Sequence, residues 1–541
     1  MLAAVNALAQ SEPPNTPTRQ DSLKGAANLA TRTWWNVLHY NLTIQPDYLH
    51  KSISGKNVIR YKVLSAHPSP TMQIDLRLPL QIDSILFSNQ KLPFRNEGDA
   101  WFVELPGHKK HAIQDITVYY SGQPKESKKA PWDGGFVWSY DSLQRPWISV
   151  ACQLIGASVW YPCKVHLGDE PDSGMSVSVI VPDSLVAVSN GRLQDIMQNK
   201  DGTSTYRWSV VNPINNYGAT LYIGKYVHIP SSFEGEKGNL DVDFWVLDYN
   251  KPKAAGYLHY EVGRTLKALE YWFGPYPFYE DGFKMVEAPY IGMEHQSAVA
   301  YGNQFTNGRN GFKNLSYWDK RVDRLIVHES AHEWFGNSIT ASDPADTWLQ
   351  EGFTGYAEEL AMRSFYGEQA SREFFIARSA KGTGDKNPVI SRYGIFANAG
   401  DDMYLKGWIL IHMIKTIINN DPVFEKILKD MNRRFYHQVV TSKQIEDYIS
   451  KVAKMNLSKV FDQYLRTPQV PVFEYKVFDN QFHYRFSNCL PDFTMPIKTS
   501  LTKEKWIHPT SSWQKMKVNG VSSQDSLIIE KDFYVKVKKV G

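Results

Sequence analysis

Two histidines four residues apart, in His328-Glu329-Ser330-Ala331-His332, set the first chemical constraint. On a helix, residues i and i+4 sit one turn above each other, so both imidazoles reach a single ion. Glu329, beside the first histidine, projects toward the same side and can take a proton from metal-bound water. Downstream, Trp348-Leu349-Gln350-Glu351-Gly352 offers a carboxylate. Two neutral imidazoles and one carboxylate leave a fourth position open, which is the ligand set of hydrolytic rather than structural zinc. The spacing therefore implies one Zn2+ held by His328, His332 and Glu351, with Glu329 as general base.

A coincidental His-Glu-x-x-His, with odds of roughly a few per cent in a chain of this histidine content, would be a surface helix with two solvated rings. The flanks argue otherwise. Val322, Leu325, Ile326, Trp334 and Phe335 predict a helix over Lys320–Asn337 that is buried along one side, with Gly336-Asn337 as its stop. Between His332 and Glu351 there is room for that helix to end, a loop to turn at Ser342-Asp343-Pro344, and a second helix over Asp346–Tyr366 to begin. Trp348, Leu349 and Phe353 make this second helix a buried one, and an unpaired buried glutamate is costly, so a cation beside Glu351 is the simpler reading. Glu358, two turns on, falls near the same face and either hydrogen-bonds a ligand histidine or is solvated.

The elements that must carry these residues fall into segments. With 541 residues the chain is too long for one core. Residues 1–30 read as a disordered or signal-remnant segment rich in polar residues and proline. Ala7-Leu8-Ala9, before Gln10, resembles a signal-peptidase site and tips the reading toward export, periplasmic or secreted, over a cytoplasmic location. A missing basic region and a short apolar run leave a plain unstructured tail as the competing reading, or a true start upstream. Residues 31–225 show short alternating runs between turn signals and predict a β-domain of sandwich or saddle type. Residues 226–466 open on a strand, Leu240–Leu247, and continue with helices over Lys253–Phe273, Ala370–Lys381, Tyr404–Asn419, Phe424–Tyr436 and Ser442–Leu457, besides the two above. Residues 467–541 return to strands at Phe473–Phe478, Phe482–Ser487, Met495–Leu501 and Phe533–Lys538, a small C-terminal β-sandwich. The fold class expected is multidomain α+β.

Composition narrows the function classes. The net charge is +4, with 21% charged and 42% hydrophobic residues, which speaks against nucleic acid or an acidic membrane surface as partner. The most apolar helix segment, Trp408–Ile414, is too short to span a bilayer and is bracketed by Lys406 and Lys415, so it reads as core. Cys152, Cys163 and Cys489 make at most one disulfide and fit no cysteine-type zinc site.

Further segments acquire meaning from their order. The chain resembles the aminopeptidase N family of zinc exopeptidases, the gluzincins that include the leukotriene epoxide hydrolases. Their zinc helix reads His-Glu-x-x-His-x-Trp-Phe-Gly-Asn, as His328–Asn337 does, and their third-ligand segment Trp-x-x-Glu-Gly-Phe matches Trp348–Phe353. Their Gly-x-Met-Glu-Asn motif is matched in its Met-Glu centre by Ile291-Gly292-Met293-Glu294-His295, and their Tyr-x-Lys-Gly by Tyr404–Gly407. The likeness runs from about residue 34 to 466 and implies a thermolysin-like mixed α/β catalytic domain. It also implies roles. Tyr404 would donate to the oxyanion, and Glu294, assisted by Gln153 and set in a turn with Gly292 and Met293, would bind the free α-ammonium of a peptide.

The departures are His295 for the usual asparagine, Ile291 for the usual glycine, Ala151 for glutamine and Val165 for aspartate. His295 is expected to alter local pH dependence or the pocket around the first side chain. The small β-domain at the end, in place of the family's long C-terminal helical domain, predicts an open site with loose control of peptide length. The activity expected is zinc-dependent removal of N-terminal residues. Epoxide hydrolysis on the same zinc, endopeptidase activity and a non-catalytic scaffold are the alternatives; Glu294 disfavours the endopeptidase and the intact zinc set disfavours the scaffold.

Overall fold

The computed structural model describes residues 17–66, 69–153, 155–308, 316–396, 400–478, 480–500, 506–518 and 529–540. The Ala7-Leu8-Ala9 pattern lies outside them. Where the expected disordered lead-in overlaps the described chain, it needs correcting. Arg19–Gly25 is a helix closed by a capping box, in which Thr18 and Asp21 each accept from the other's backbone N–H. Leu23 joins Ala100 and Phe102 in a small apolar cluster. The polar composition concealed a cap.

The alternating runs build an eight-stranded sheet. In spatial order its strands are Arg192–Gln198, Thr203–Val210, Met175–Pro182, Trp35–Asp47, Ser52–Val63, Ile113–Gly122, Gln81–Phe87 and Gln90–Leu92. Trp35–Asp47 runs parallel to Met175–Pro182, with Leu42 opposite Val177 and Ile44 opposite Val179. Its other neighbour is antiparallel, and a bulge between Val37 and His39 shifts the register there. Because side chains alternate across a strand, Tyr40, Leu42 and Ile44 all enter the core together with Val177, Val179 and Val181. A four-stranded sheet, ordered Val186–Ser189, Leu221–Gly224, Pro146–Ala151 and Gly135–Tyr140, packs within the same core. Its strand Pro146–Ala151 runs directly into Cys152-Gln153.

The next region is organised on a five-stranded mixed sheet, ordered Tyr226–Gly235, Gly238–Leu247, Phe283–Glu287, Val299–Tyr301 and Gly292–Met293. The middle three strands are parallel, and Gly292–Met293 is an antiparallel edge strand. Leu240, Val242, Phe244 and Val246 face the helices, whereas Trp245 and Leu247 on the same strand face the N-terminal sheets. The sheet is thus buried on both faces, as its near-continuous apolar strands require.

The helices are Lys251–Phe273, Arg324–Ala331, Trp348–Tyr366, Glu368–Ser379, Asp402–Ile418, Asp421–Arg434, Ser442–Ala453 and Ser458–Arg466. Two expectations are corrected. The motif helix is shorter than Lys320–Asn337: Asp323 caps its start, and it ends at Ala331 with His332 still helical in its backbone angles. The segment expected as Ser442–Leu457 stops at Lys454, in the left-handed region at φ 54°, and the separate helix Ser458–Arg466 follows. That helix is legible in hindsight from Val460, Phe461, Tyr464 and Leu465 at helical spacing.

The C-terminal sheet is ordered Gln514–Lys517, Gln481–Ser487, Val472–Phe478 and Lys536–Lys539, so the last strand lies three residues beyond the start expected for it. The pair Ile497–Lys498 and Trp506–Ile507 stands apart. Phe473, Phe482 and Phe533 belong to the same apolar cluster as Trp408 and Leu410, so the C-terminal strands share the core of these helices. The three cysteines are all free thiols. Among the described residues no helix is long and apolar enough to cross a membrane.

Candidate metal centre and active site

The motif helix is anchored at its start. The Asp323 carboxylate accepts from the Leu325 and Ile326 backbone N–H groups at 3.2 and 3.4 Å, as an N-cap does. It also accepts from Tyr301 at 2.7 Å, Tyr257 at 2.9 Å and Asn303 at 3.0 Å. One buried carboxylate therefore ties the helix to the sheet and to the helix Lys251–Phe273. Past His332 the chain turns on Gly336 at φ 123°, and Phe335 stacks on Phe353 of the next helix with ring centroids 4.7 Å apart.

This packing brings three ligand atoms together. His328 Nε2 lies 3.4 Å and His332 Nε2 3.5 Å from Glu351 Oε2. The opposite ring nitrogens are occupied: His328 Nδ1 by Glu358 Oε1 at 3.0 Å, and His332 Nδ1 by the Phe335 carbonyl at 2.9 Å. With Nδ1 donating, each Nε2 presents a lone pair to the same point. Glu351 is buried and its Oε2 has no hydrogen-bond partner. Burial works against a charge on His328, yet the surrounding carboxylates of Glu351, Glu358 and Glu329 push it up. The field between these groups favours a cation, and an orphaned carboxylate oxygen with two locked imidazoles fits tetrahedral zinc with one position to spare. Glu358 is in turn held by Arg324 Nε at 2.6 Å, so it is a buried partner of His328 and not a solvated residue.

Glu294, Glu329 and His332 form a second group whose ligand atoms lie within 4.8 Å of one another. Burial, with the Glu351 and Glu329 charges adding to it against His332, pushes the Glu294 carboxyl up to about 7. Gln153 Nε2 donates both to Glu294 Oε1 and, at 3.0 Å, to Glu351 Oε1. The second of these bonds has no sequence signal, because it joins residues far apart in the chain. Asn337 donates to the Glu294 carbonyl at 3.0 Å, fixing the turn from behind.

Gly292 has a steric reason. A Cβ there would lie 2.6 Å from Leu325 Cδ1 and 2.8 Å from Glu329 Oε1, so only glycine lets the edge strand run this close to Glu329. Met293 points away into the N-terminal core. His295 also points away. Its Nδ1 meets the Tyr222 hydroxyl at 2.6 Å, and burial pushes it down to about 3, so the ring is neutral and carries no local pH dependence near neutrality.

Tyr404 lies in the first turn of Asp402–Ile418. This helix approaches the Glu351 helix glycine to glycine: a Cβ on Gly352 would lie 3.0 Å from the Gly407 carbonyl carbon. The two glycines follow Glu351 and Tyr404 closely in sequence, so the contact draws those side chains toward one pocket. Burial and the charges of Glu351, Glu294 and Glu329 push the Tyr404 phenol well above its ordinary value, and its hydroxyl keeps its proton as a donor.

The model of the peptidase family M1 domain matches residues 260–464. Human aminopeptidase B is 21% identical over 488 residues, covering 81% of this chain and 70% of that protein. Mouse aminopeptidase B is 23% identical over 354 residues, covering 61% of this chain and half of that protein. Among solved structures, a point mutant of an M1 zinc metallopeptidase from Deinococcus radiodurans, bound to a Tyr-Ser-Ala substrate, superposes with a TM-score of 0.67 at 20% identity. That match covers 80% of this chain and 95% of the other, and it shows the fold. Residues 260–464 thus carry a peptidase family M1 domain, and the chain is similar in sequence to aminopeptidase B and in fold to an M1 zinc metallopeptidase.

Proposed function

We propose that this chain removes residues from the free N-terminus of peptides as a zinc aminopeptidase. The observation that carries the reading is the place of Glu294, a buried carboxylate in the same pocket as Glu329 and His332 and joined through Gln153 to Glu351. A fixed anion there accepts a substrate ammonium one residue from the bond to be cut. An acetylated end leaves it buried and unpaired, and so is rejected.

His328, His332 and Glu351 would hold zinc, which when bound would supply Lewis acidity toward the scissile carbonyl and acidify a water molecule. The Glu329 carboxylate, whose Oε1 lies against Gly292, takes the proton of the attacking water and returns it to the leaving nitrogen. The Tyr404 hydroxyl donates to the oxyanion of the tetrahedral adduct. Gln153 holds the amine-binding and metal-binding carboxylates at a fixed separation. The strand Gly292–Met293 is an edge strand paired with Val299–Tyr301, and a substrate backbone would lie alongside it.

The test is hydrolysis of aminoacyl chromogenic amides, free and N-acetylated, before and after chelation and with zinc restored. Cleavage confined to the free amides, lost on chelation and regained with zinc, is expected. Equal cleavage of the acetylated substrates would sink the exopeptidase assignment, and an inactive protein carrying full zinc would mark a scaffold.

A further inference from the structure

A second buried charge cluster, separate from the zinc residues, joins three parts of the chain. His412 lies two turns after Tyr404 on the same helix, in its most apolar stretch. Its Nδ1 meets Glu359 Oε1 at 2.8 Å and its Nε2 meets Asp532 Oδ1 at 3.0 Å. Glu359 stands two turns after Glu351 on that ligand's helix and accepts from Trp408 Nε1 at 2.8 Å as well. Asp532 comes from the C-terminal β region and pairs also with Arg372 at 2.9 Å. Phe375 stacks on the imidazole with centroids 3.5 Å apart. Burial opposes a charge on His412, but Glu359 and Asp532 push it up to about 9, so it bridges them as a cation.

Tyr534 repeats the attachment. Its backbone N–H donates to Met413 Sδ at 3.1 Å and its hydroxyl to Asp385 Oδ2 at 2.6 Å. Asp385 Oδ1 pairs at 3.1 Å with Lys406, the buried lysine of the Tyr404-Leu405-Lys406-Gly407 motif. The segment Asp532–Tyr534 therefore grips the Tyr404 helix directly at His412 and Met413, and at Lys406 through Asp385. Across the helix, Gly352 and Gly407 bring the backbones close, Trp408 packs against Gly355, and Trp408 and His412 both bond to Glu359 of the Glu351 helix. Asp532 on His412 and Tyr534 on Met413 hold this contact from the side of the C-terminal β region, and such polar bonds are directional.

We propose that Asp532 and Tyr534 are positioning residues that lock the Tyr404 helix against the Glu351 helix, so that the C-terminal β region sets the placement of the Tyr404 hydroxyl over the reacting carbonyl. This rests on the aminopeptidase reading above. Hydrogen bonds to an oxyanion act in the transition state, and a displacement of about 1 Å in a catalytic group costs on the order of a hundredfold in rate. The experiment compares Asp532→Asn, Tyr534→Phe, Tyr404→Phe and the two doubles in the full-length chain, reading kcat, KM and Tm. Each single positioning variant is expected to lower kcat about tenfold or more, with KM changed less than about twofold. In the Tyr404→Phe background the same changes are expected to cost almost nothing, because no hydroxyl remains to be misplaced. Equal losses in both backgrounds, or unchanged kcat in folded variants, would overturn the proposal. Tyr534→Phe removes one oxygen only and carries the test alone if Asp532→Asn does not fold. Wild-type activity with additive doubles refutes the positioning role by itself; a wild-type chain without activity refutes the aminopeptidase reading and this proposal with it.

Discussion

Replacing Glu358 by glutamine tests whether the metal ligands are held from behind. Glu358 accepts on both oxygens: Oε1 from His328 Nδ1 at 3.0 Å, and Oε2 from Arg324 Nε at 2.6 Å, with Arg378 Nη1 at 3.4 Å. Burial disfavours its charge, but Arg324 and His328 hold the carboxyl down at about 2. Glutamine has one acceptor oxygen and one donor amide. With its oxygen toward Arg324, the amide confronts the His328 N–H, and the ring loses the bond that keeps Nε2 free for metal. In the flipped orientation the amide confronts Arg324 instead. Losing such a partner weakens metal binding by about 10–100-fold, which is roughly 1.4–2.7 kcal/mol. The buried donor left unpaired costs about 1–3 kcal/mol of stability in addition. Zinc affinity is read by competition with a calibrated chelator, independently of turnover, alongside thermal melts of the metal-free and zinc-loaded protein. A folded Glu358→Gln variant with wild-type zinc affinity would refute the argument that Glu358 orients His328.

Other expectations follow from the same geometry. Gly292→Ala places a Cβ 2.8 Å from Glu329 Oε1 and 2.6 Å from Leu325 Cδ1; with the base or the strand forced aside, kcat should fall about a hundredfold at unchanged zinc content, and near-normal kcat would contradict this. Because His412 titrates at about 9 in the fold against an ordinary value of about 6.5, its contribution of up to about 3 kcal/mol is fully present below pH 6.5 and lost as pH rises through 9. Urea titrations should show wild-type stability declining across that window and His412→Gln losing this slope; equal slopes would remove His412 from the account. His295→Asn should leave the shape of the pH profile of kcat/KM unchanged between about pH 5 and 9, since the buried ring is already neutral there. A shifted limb in that profile would mean that His295 titrates.

The convergence of His328, His332 and Glu351 was legible because a helix makes residues four apart coincide, and because a buried glutamate beside aromatic residues calls for a cation. Asp323 was legible in principle, as a cap residue directly before the apolar run, yet the longer periodic stretch obscured it and stretched the motif helix at both ends. The helix Ser458–Arg466 was hidden because the left-handed turn at Lys454 carries no glycine to announce it. Glu294, Gln153 and Tyr404 were reached through a resemblance and not through spacing. Their convergence depends on three separate elements meeting, which no local pattern encodes. The Gln153 bond to Glu351 and the grip of Asp532 on His412 are of the same kind: contacts between residues more than a hundred positions apart.

The five-stranded sheet has apolar cores on both faces, and the edge strand leading to Glu294 runs along its margin. One core holds the helices that carry His328, His332, Glu351 and Tyr404; the other holds the strand that delivers Gln153. The proposed metal-binding and oxyanion residues on one hand, and Gln153 on the other, are thus mounted from opposite sides of a common wall. Under the proposed reading, mutation on the Gln153 side would alter which chain ends are accepted while the helix side stays packed, so that preference could drift with hydrolysis retained.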